Sequence, residues 1–500
     1  MKPILKFIPI FFLTLTFVAC EDVLELAPTS IIGVETFFQN EDDARVAMAG
    51  TYVQFRNQFS YEIYAYGEMR AGTLYLGYND DSGWWTAMYH DNSFTPVSPY
   101  PSWYGLYRTI HHANLIIQKV PDLDFSNEGE KNRIIAEAYA IRAFNYFTML
   151  KTWGGVPIIT EPTAGFKPGE QFIARSTEAE LLSMIKNDVE MSLNLFPNDH
   201  MGRRNRWSRP SVLVLKGDIH LWSGQVMGGG EGDISTALIA FNNAVSAADV
   251  ALLPDYDEIF RYHNKGNKEI FMAVHFRKDE SSNVHMHFGT STGRDPFGAI
   301  TYVLDDGTLL QNSVMFPTGG QNRGAPAVWY QELHDMEDQR RTVSWLAINR
   351  LVGGELIPDH WVVPKFRGAN FGANAREFFD DVIVYRYADV LLMIAEAKNA
   401  LGQDPATEIN LVRQRAFGDE FEGNEFVSGT QEENVDAIMM ERLLELGFEG
   451  KLWWDMIRLD RAFDIAPGLQ GRENEQHLLK WPINQDVLSQ NDALIQNPGW

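Results

Sequence analysis

The chain has 500 residues, enough for about three average domains or one large interleaved one. Its hydrophobic fraction of 45% and aromatic fraction of 12%, with 13 Trp and 31 Phe, exclude a disordered chain and require a packed core rich in large rings. Acidic residues number 67 against 42 basic ones, a formal charge of -25; such a surface repels phosphate backbones and argues against nucleic acid as a partner.

At the amino terminus, Lys2 and Lys6 precede an apolar run from Phe7 to Ala19. The run is too short to span a bilayer and has the form of a secretory signal, so residues 1–19 are read as a signal peptide. Small Ala19 stands before Cys20, the only cysteine, which therefore has no internal disulfide partner. This arrangement resembles the bacterial lipoprotein signal, which implies cleavage before Cys20 and acylation of it. More than one acyl chain gives stable attachment, so the expectation is a soluble body held to a membrane through a lipid anchor at Cys20.

Apolar residues at three- and four-residue spacing predict helices over Asp42 to Phe55, Trp103 to Val120, Glu130 to Thr152, Glu178 to Phe196, Pro210 to Ser223 and Ile234 to Ala248. The same spacing returns over Ala388 to Leu401, Thr407 to Ala416 and Glu433 to Phe448. In the third of these, Ile135, Tyr139, Ala143, Tyr146 and Leu150 cover one face while Ile134, Ala138, Ile141 and Phe144 cover much of another. A helix apolar over most of its circumference is buried between neighbours, as in stacked hairpins. Arg142 within it needs a polar partner and is expected to staple two helices. "LKGDIHLWSG", Leu215 to Gly224, has the small and aromatic spacing of tetratricopeptide-type helices, without a strict period of about 34 residues. The fold class is therefore mainly α: degenerate tetratricopeptide-like helical hairpins forming a scaffold, with loops and short strands overlaid. Those loops and strands fall between about Pro254 and Asp381, where β-branched runs such as Ala299 to Leu304 alternate with turn clusters such as "PTGGQNRGAP".

One turn cluster stands apart. In "GYNDDSGWWTAMY", Gly77 to Tyr89, two adjacent tryptophans follow a run of turn-forming residues. Read as a surface excursion ending in a strand edge, it leaves at least one indole facing out. A pyranose has an apolar face that a flat ring covers and a rim of hydroxyls that carboxylates, amides and arginine bond. Trp84, Trp85, Tyr75 and Tyr78 supply rings, and Arg70, Asn79, Asp80 and Asp81 supply the polar groups. The alternative is that Trp84 and Trp85 pack under their own loop or against a protein partner.

Several segments together resemble one family, the SusD/RagB outer-membrane nutrient-binding lipoproteins. They are "EDDARVAMAGTYVQF", "WYGLYRTIHHANLII" and "AEAYAIRAFNYFTMLKTWGGVPII" in the first half. "YRYADVLLMIAEAKNALG", "INLVRQRA", "ERLLELGFEGKLWWDMIRL" and the terminal "WPINQDVLSQNDALIQNPGW" follow in the second. Leu452 stands where the family often has arginine, and the stretch from about Lys278 to Phe378 carries no family motif. The resemblance implies a lipoprotein on the outer face of the outer membrane that sits as a lid over a SusC-type TonB-dependent transporter and captures glycan or, in some members, peptide. It also implies a glycan platform near residues 70–103, with Tyr302, Trp329 and Tyr330 as contributors from the middle region. Trp453 and Trp454, inside a family motif, are expected in the core.

The corresponding division is a signal peptide at 1–19, a helical region at 20–230 with the ligand loop near 70–103, and a region at 231–500 that is loop-rich over about 254–381 and helical over about 388–460. No phosphate-cradling glycine loop or nucleophile elbow occurs, so neither catalytic residues nor a cofactor is expected. His285 and His287 could share a strand face but lack a third ligand, and "YNDDSG" lacks the terminal glutamate of a calcium loop, so no metal is assigned. Other readings are a repeat scaffold for a membrane protein partner and, more remotely, a glycoside hydrolase.

Overall fold

The computed structural model describes residues 37–500 apart from 79–83, 100–101, 164–171, 282, 289–299, 314, 316–318 and 372–375. Residues 1–19, read as a signal peptide, and Cys20 lie outside these residues, and among the described ones no helix is long and apolar enough to cross a membrane.

Eight helices form the first part of a continuous array. They are α1 (Glu41–Gln58), α2 (Glu62–Gly67), α3 (Trp84–His90), α4 (Tyr104–Lys119), α5 (Glu128–Trp153), α6 (Glu178–Leu195), α7 (Arg209–Val226) and α8 (Gly230–Ala247). The C-terminal part adds α9 (Tyr387–Ala400), α10 (Ala406–Phe417), α11 (Gln431–Leu446) and α12 (Leu452–Arg458). From α4 to α8 each helix packs on the next; α1 lies against α4 and α5, α9 docks on α8, which joins the two parts, and both α10 and α11 pack on α9, with α12 on α11. Local chemistry sets the ends. Asn127 caps α5 by accepting from the Glu130 N–H, and reciprocal capping boxes start α6 (Thr177 with Glu180) and α11 (Thr430 with Glu433). Arg142 on buried α5 donates to both oxygens of Asp188 on α6, at 2.7 and 2.8 Å, so the expected staple is present.

The core continues through both parts. Trp153, Trp207, Trp453 and Trp481 are fully buried, and Trp454 nearly so. A buried ion network ties the C-terminal helices together. Arg386 pairs with Glu269 at 2.8 Å, Glu445 at 2.5 Å and Glu449 at 2.7 Å, while Arg340 holds Asp338, Glu441 and Glu445.

The middle of the chain forms the expected cover of loops and small antiparallel sheets. Strand β1 (Leu74–Leu76) pairs with β4 (Gly324–Pro326), and β2 (Ile270–Val274) pairs with β9 (Val382–Arg386). Strands β3 (Tyr302–Leu304), β5 (Leu346–Val352) and β6 (Glu355–Val362) form a three-stranded sheet in that order, and β7 (Ala369–Asn370) pairs with β8 (Arg376–Glu377). His285 and His287 do not share a strand: they lie in a tight helical turn, Val284–His287, with the His285 ring stacked 3.8 Å from that of Phe366.

Candidate functional site

The site is built on the β1–β4 ribbon, which is fastened at both ends. Below it, Gly72 adopts φ +74°, a left-handed conformation that glycine enters freely, and a Cβ there would meet the Pro467 ring. The Gly72 carbonyl accepts from Trp329 Nε1 at 2.8 Å, and the Thr73 carbonyl accepts from the Ala327 N–H at 2.8 Å. Beneath these, the fully buried Glu68 carboxylate accepts from Thr73 Oγ1 and from the N–H groups of Phe448, Gly450 and Lys451, at 2.9 to 3.3 Å. At the other end, the Tyr78 N–H donates to Asn322 Oδ1, whose Nδ2 donates to the Trp361 carbonyl in β6.

One face of this ribbon opens into a cleft of about 390 Å³. Tyr75, 41% exposed, and His90 at the end of α3 bring their rings to 4.6 Å. Half-buried Trp329, 61% exposed Val328, Ile465 and Gln470 line the remainder. The Trp329 N–H is committed to Gly72, which fixes the indole and leaves its role in the cleft to the ring itself. Past the ribbon, Tyr78, 52% exposed, and Tyr302 flank His360, with ring centroids 6.4 and 6.2 Å away. His360 Nδ1 faces Asp359 Oδ2 at 2.9 Å. The four aromatic candidates thus fall into two groups, Tyr75 and Trp329 at the ribbon's cleft and Tyr78 and Tyr302 around His360.

Several expectations are corrected. Arg70 is no ligand contact: it is fully buried, donates to Asn92 Oδ1 at 2.7 Å and to the Leu478 carbonyl, and stacks 4.1 Å over Trp453 and 4.7 Å over Phe94. Burial pushes its pKa down, and the electron-rich ring faces provide the compensating cation–π attraction. Tyr330 is fully buried, with its hydroxyl donated to the Leu443 carbonyl. Trp84 and Trp85 open helix α3 and do not sit on a strand edge. Asn79, Asp80 and Asp81 lie outside the described residues. Sequence reasoning missed His90, Ile465 and Gln470, because the last two reach the cleft only by tertiary packing of a segment almost 400 residues away and carry no local signal. Among the described residues no group of three or more His, Cys, Asp or Glu could hold a metal ion.

A stacked-helix frame carrying an open, ring-lined cleft on inserted strands defines a repeat-scaffold binding protein. A family model described as "SusD family" matches residues 365–500, and one described as "Starch-binding associating with outer membrane" matches residues 50–212. SusD-like protein P38 of Formosa agariphila is 27% identical over 96% of this chain and 95% of its own length. The solved structure of B. fragilis NanU is 30% identical, covers 95% of this chain and 100% of its own, and superposes with a TM-score of 0.83. A laminarin-binding SusD-like protein shares the fold, with 20% identity, coverage of 93% of this chain and 100% of its own, and a TM-score of 0.74. The chain belongs to the SusD/RagB family.

Proposed function

We propose that this protein is a non-catalytic receptor that binds an oligo- or polysaccharide at the cell surface and delivers it to a SusC-type TonB-dependent transporter, held to the outer membrane by acylated Cys20. The observation that carries the reading is the Tyr75–His90–Trp329 cleft: two rings and an imidazole beside an exposed apolar rim, with polar groups of Tyr75, His90 and Gln470 on its lining, His90 Nδ1 being held by Asp91 and Gln470 Nε2 by the Asp464 carbonyl. The family's starch-binding description and the laminarin-binding relative support glycan as the cargo. Trp84 and Trp85, at the start of the helix that ends in His90, are proposed to extend the stacking surface, and Tyr78 and Tyr302 to form a second contact across the ribbon.

Affinity electrophoresis against a panel of neutral and acidic glycans tests the capture role. Retardation by at least one glycan, weakened by Trp329→Ala, is expected; unchanged mobility with every glycan sinks it, and binding of peptides alone would make the protein a peptide receptor of the same family. Copurification of a transporter from detergent-solubilised membranes, and release of Cys20→Ala protein from the membrane fraction, test the partner and the anchor.

A further inference from the structure

A buried cavity lies where the helices of the first part meet β9, α11 and α12, away from the ribbon. About 50 Å³ of it is open to the centre of a water molecule. Part of its lining is apolar, from Phe59, Phe144 and Met393. The remainder is polar and incompletely bonded. Tyr64 Oη, Trp454 Nε1, Arg442 Nε and Nη1, and Asp455 Oδ2 all belong to lining residues, are buried, and have no hydrogen-bond partner in the protein.

Lys151 adds to this. Its ammonium faces Asp218 Oδ2 at 3.9 Å, beyond hydrogen-bond reach, and is otherwise set over the rings of Trp454 at 4.0 Å and Phe147 at 4.3 Å. Arg442 uses only Nη2, which donates to Asp389 Oδ1 at 2.9 Å and Asp455 Oδ1 at 2.8 Å. Each buried polar atom left bare costs about 1–3 kcal/mol, and several gathered in one place would consume most of the roughly 5–15 kcal/mol that stabilises a domain. These atoms therefore require partners that the chain does not supply.

We propose that this cavity is a binding site for a small cluster of ordered water molecules, which complete the hydrogen bonding of Lys151, Arg442, Trp454, Tyr64 and Asp455 and bridge the two parts of the frame. The volume suffices, because one water occupies only a sphere of roughly 10–15 Å³, and the space open to water centres is larger than that. Charge favours water over an ion. Four cationic lining residues, Lys151, Arg442, Lys451 and Arg458, stand against four carboxylates, Asp218, Asp389, Glu449 and Asp455, so the cavity carries no net charge for a counterion to neutralise. Water also meets both needs at once, accepting from the four bare donor atoms and from the ammonium while donating to Asp455 Oδ2.

High-resolution crystals of the mature wild-type protein decide the matter. The expected result is discrete water peaks within hydrogen-bond distance of Lys151 Nζ, Arg442 Nη1 and Asp455 Oδ2, with no xenon bound under pressure. A dry apolar cavity takes up xenon, so a xenon peak without water overturns the proposal. An anomalous peak after a bromide soak overturns it too, by replacing water with an anion. Lys151→Met is expected to lose the water bonded to that nitrogen and keep those on Arg442 and Asp455; unaltered density throughout would count against the assignment. If the variant does not fold, the wild-type crystals still give the answer.

Discussion

The helical frame and the loop-rich cover share a buried ion network, but among the described residues only the cover buries histidines as well. Arg386 at the end of β9 and Glu269 before β2 join Glu445 and Glu449, while within the frame Arg458 holds Glu396 at 2.6 Å. Burial raises the pKa of Glu449, but Arg386 and Lys365 outweigh it and hold the carboxyl at about 2; Arg415, Arg386 and Arg340 depress Glu445 further still. Beside its own buried charges, Arg340, Asp338 and Lys365 among them, the cover holds buried imidazoles. Burial pushes His285 down to about 3, and His287 and His334 to about 4. The family motifs follow the same division, since they fall on the helices and leave most of the cover unmatched.

The largest expected effect comes from breaking the shared network. Arg386→Ala removes the one cation shared by three buried carboxylates, leaving Arg340, Arg415 and Lys365 to hold them, and is expected to cost about 3–5 kcal/mol, read as a fall in the denaturant midpoint. A loss no greater than that of a surface substitution would remove the network as a tie between the two regions. Acidification separates them next. The unfolded chain binds protons on its histidines below about pH 6.5, while the folded cover does not until about pH 4, so the cover loses stability as pH falls through that window. For His285 alone the linkage amounts to roughly 2 kcal/mol at pH 5. The depressed carboxylates of the frame contribute in full above about pH 4.5 and lose that contribution only toward pH 2. Hydrogen exchange at pH 7 and pH 5, corrected for the intrinsic rates, is expected to show lower protection factors at pH 5 around residues 284–288 and 334 with those of α5 and α11 unchanged; a uniform loss of protection would contradict it.

Smaller effects sharpen the comparison. Thr177→Ala removes the cap of α6 and is expected to lower stability by about 1 kcal/mol without touching ligand binding. Tyr75→Ala on the cover is expected to do the reverse, weakening glycan binding by roughly 0.5–1.5 kcal/mol with an unchanged melting temperature. Isothermal titration beside a thermal scan distinguishes them, and a Tyr75→Ala protein that melts early while binding normally would move that ring into the core.

What could be read from the chain follows the same line. Helix boundaries were legible because apolar spacing is a local property: Glu178 to Phe196 was expected, and Glu178–Leu195 is found. Burial of Trp453 and Trp454 was legible for the same reason, since both sit within an apolar helical run. Arg70 was misread because it was grouped with the tyrosines and the turn run that follow it in sequence, whereas its surroundings in space are Trp453, Phe94 and the Leu478 carbonyl. Trp84 and Trp85 were misassigned for a different reason. A run of Asn, Asp and Ser before apolar residues, as in Asn79 to Ser82, marks a helix start as readily as the end of a loop, and spacing over so few residues does not separate the two.

The buckle at Glu68 has a consequence for kinetics. With the Thr73 hydroxyl and three loop amides all fastened to one carboxylate, the base of the cleft has its shape before any visitor arrives. Little freedom is then left to surrender on association, so capture is expected to run at the pace of encounter, and differences among cargoes to appear in how long each one stays.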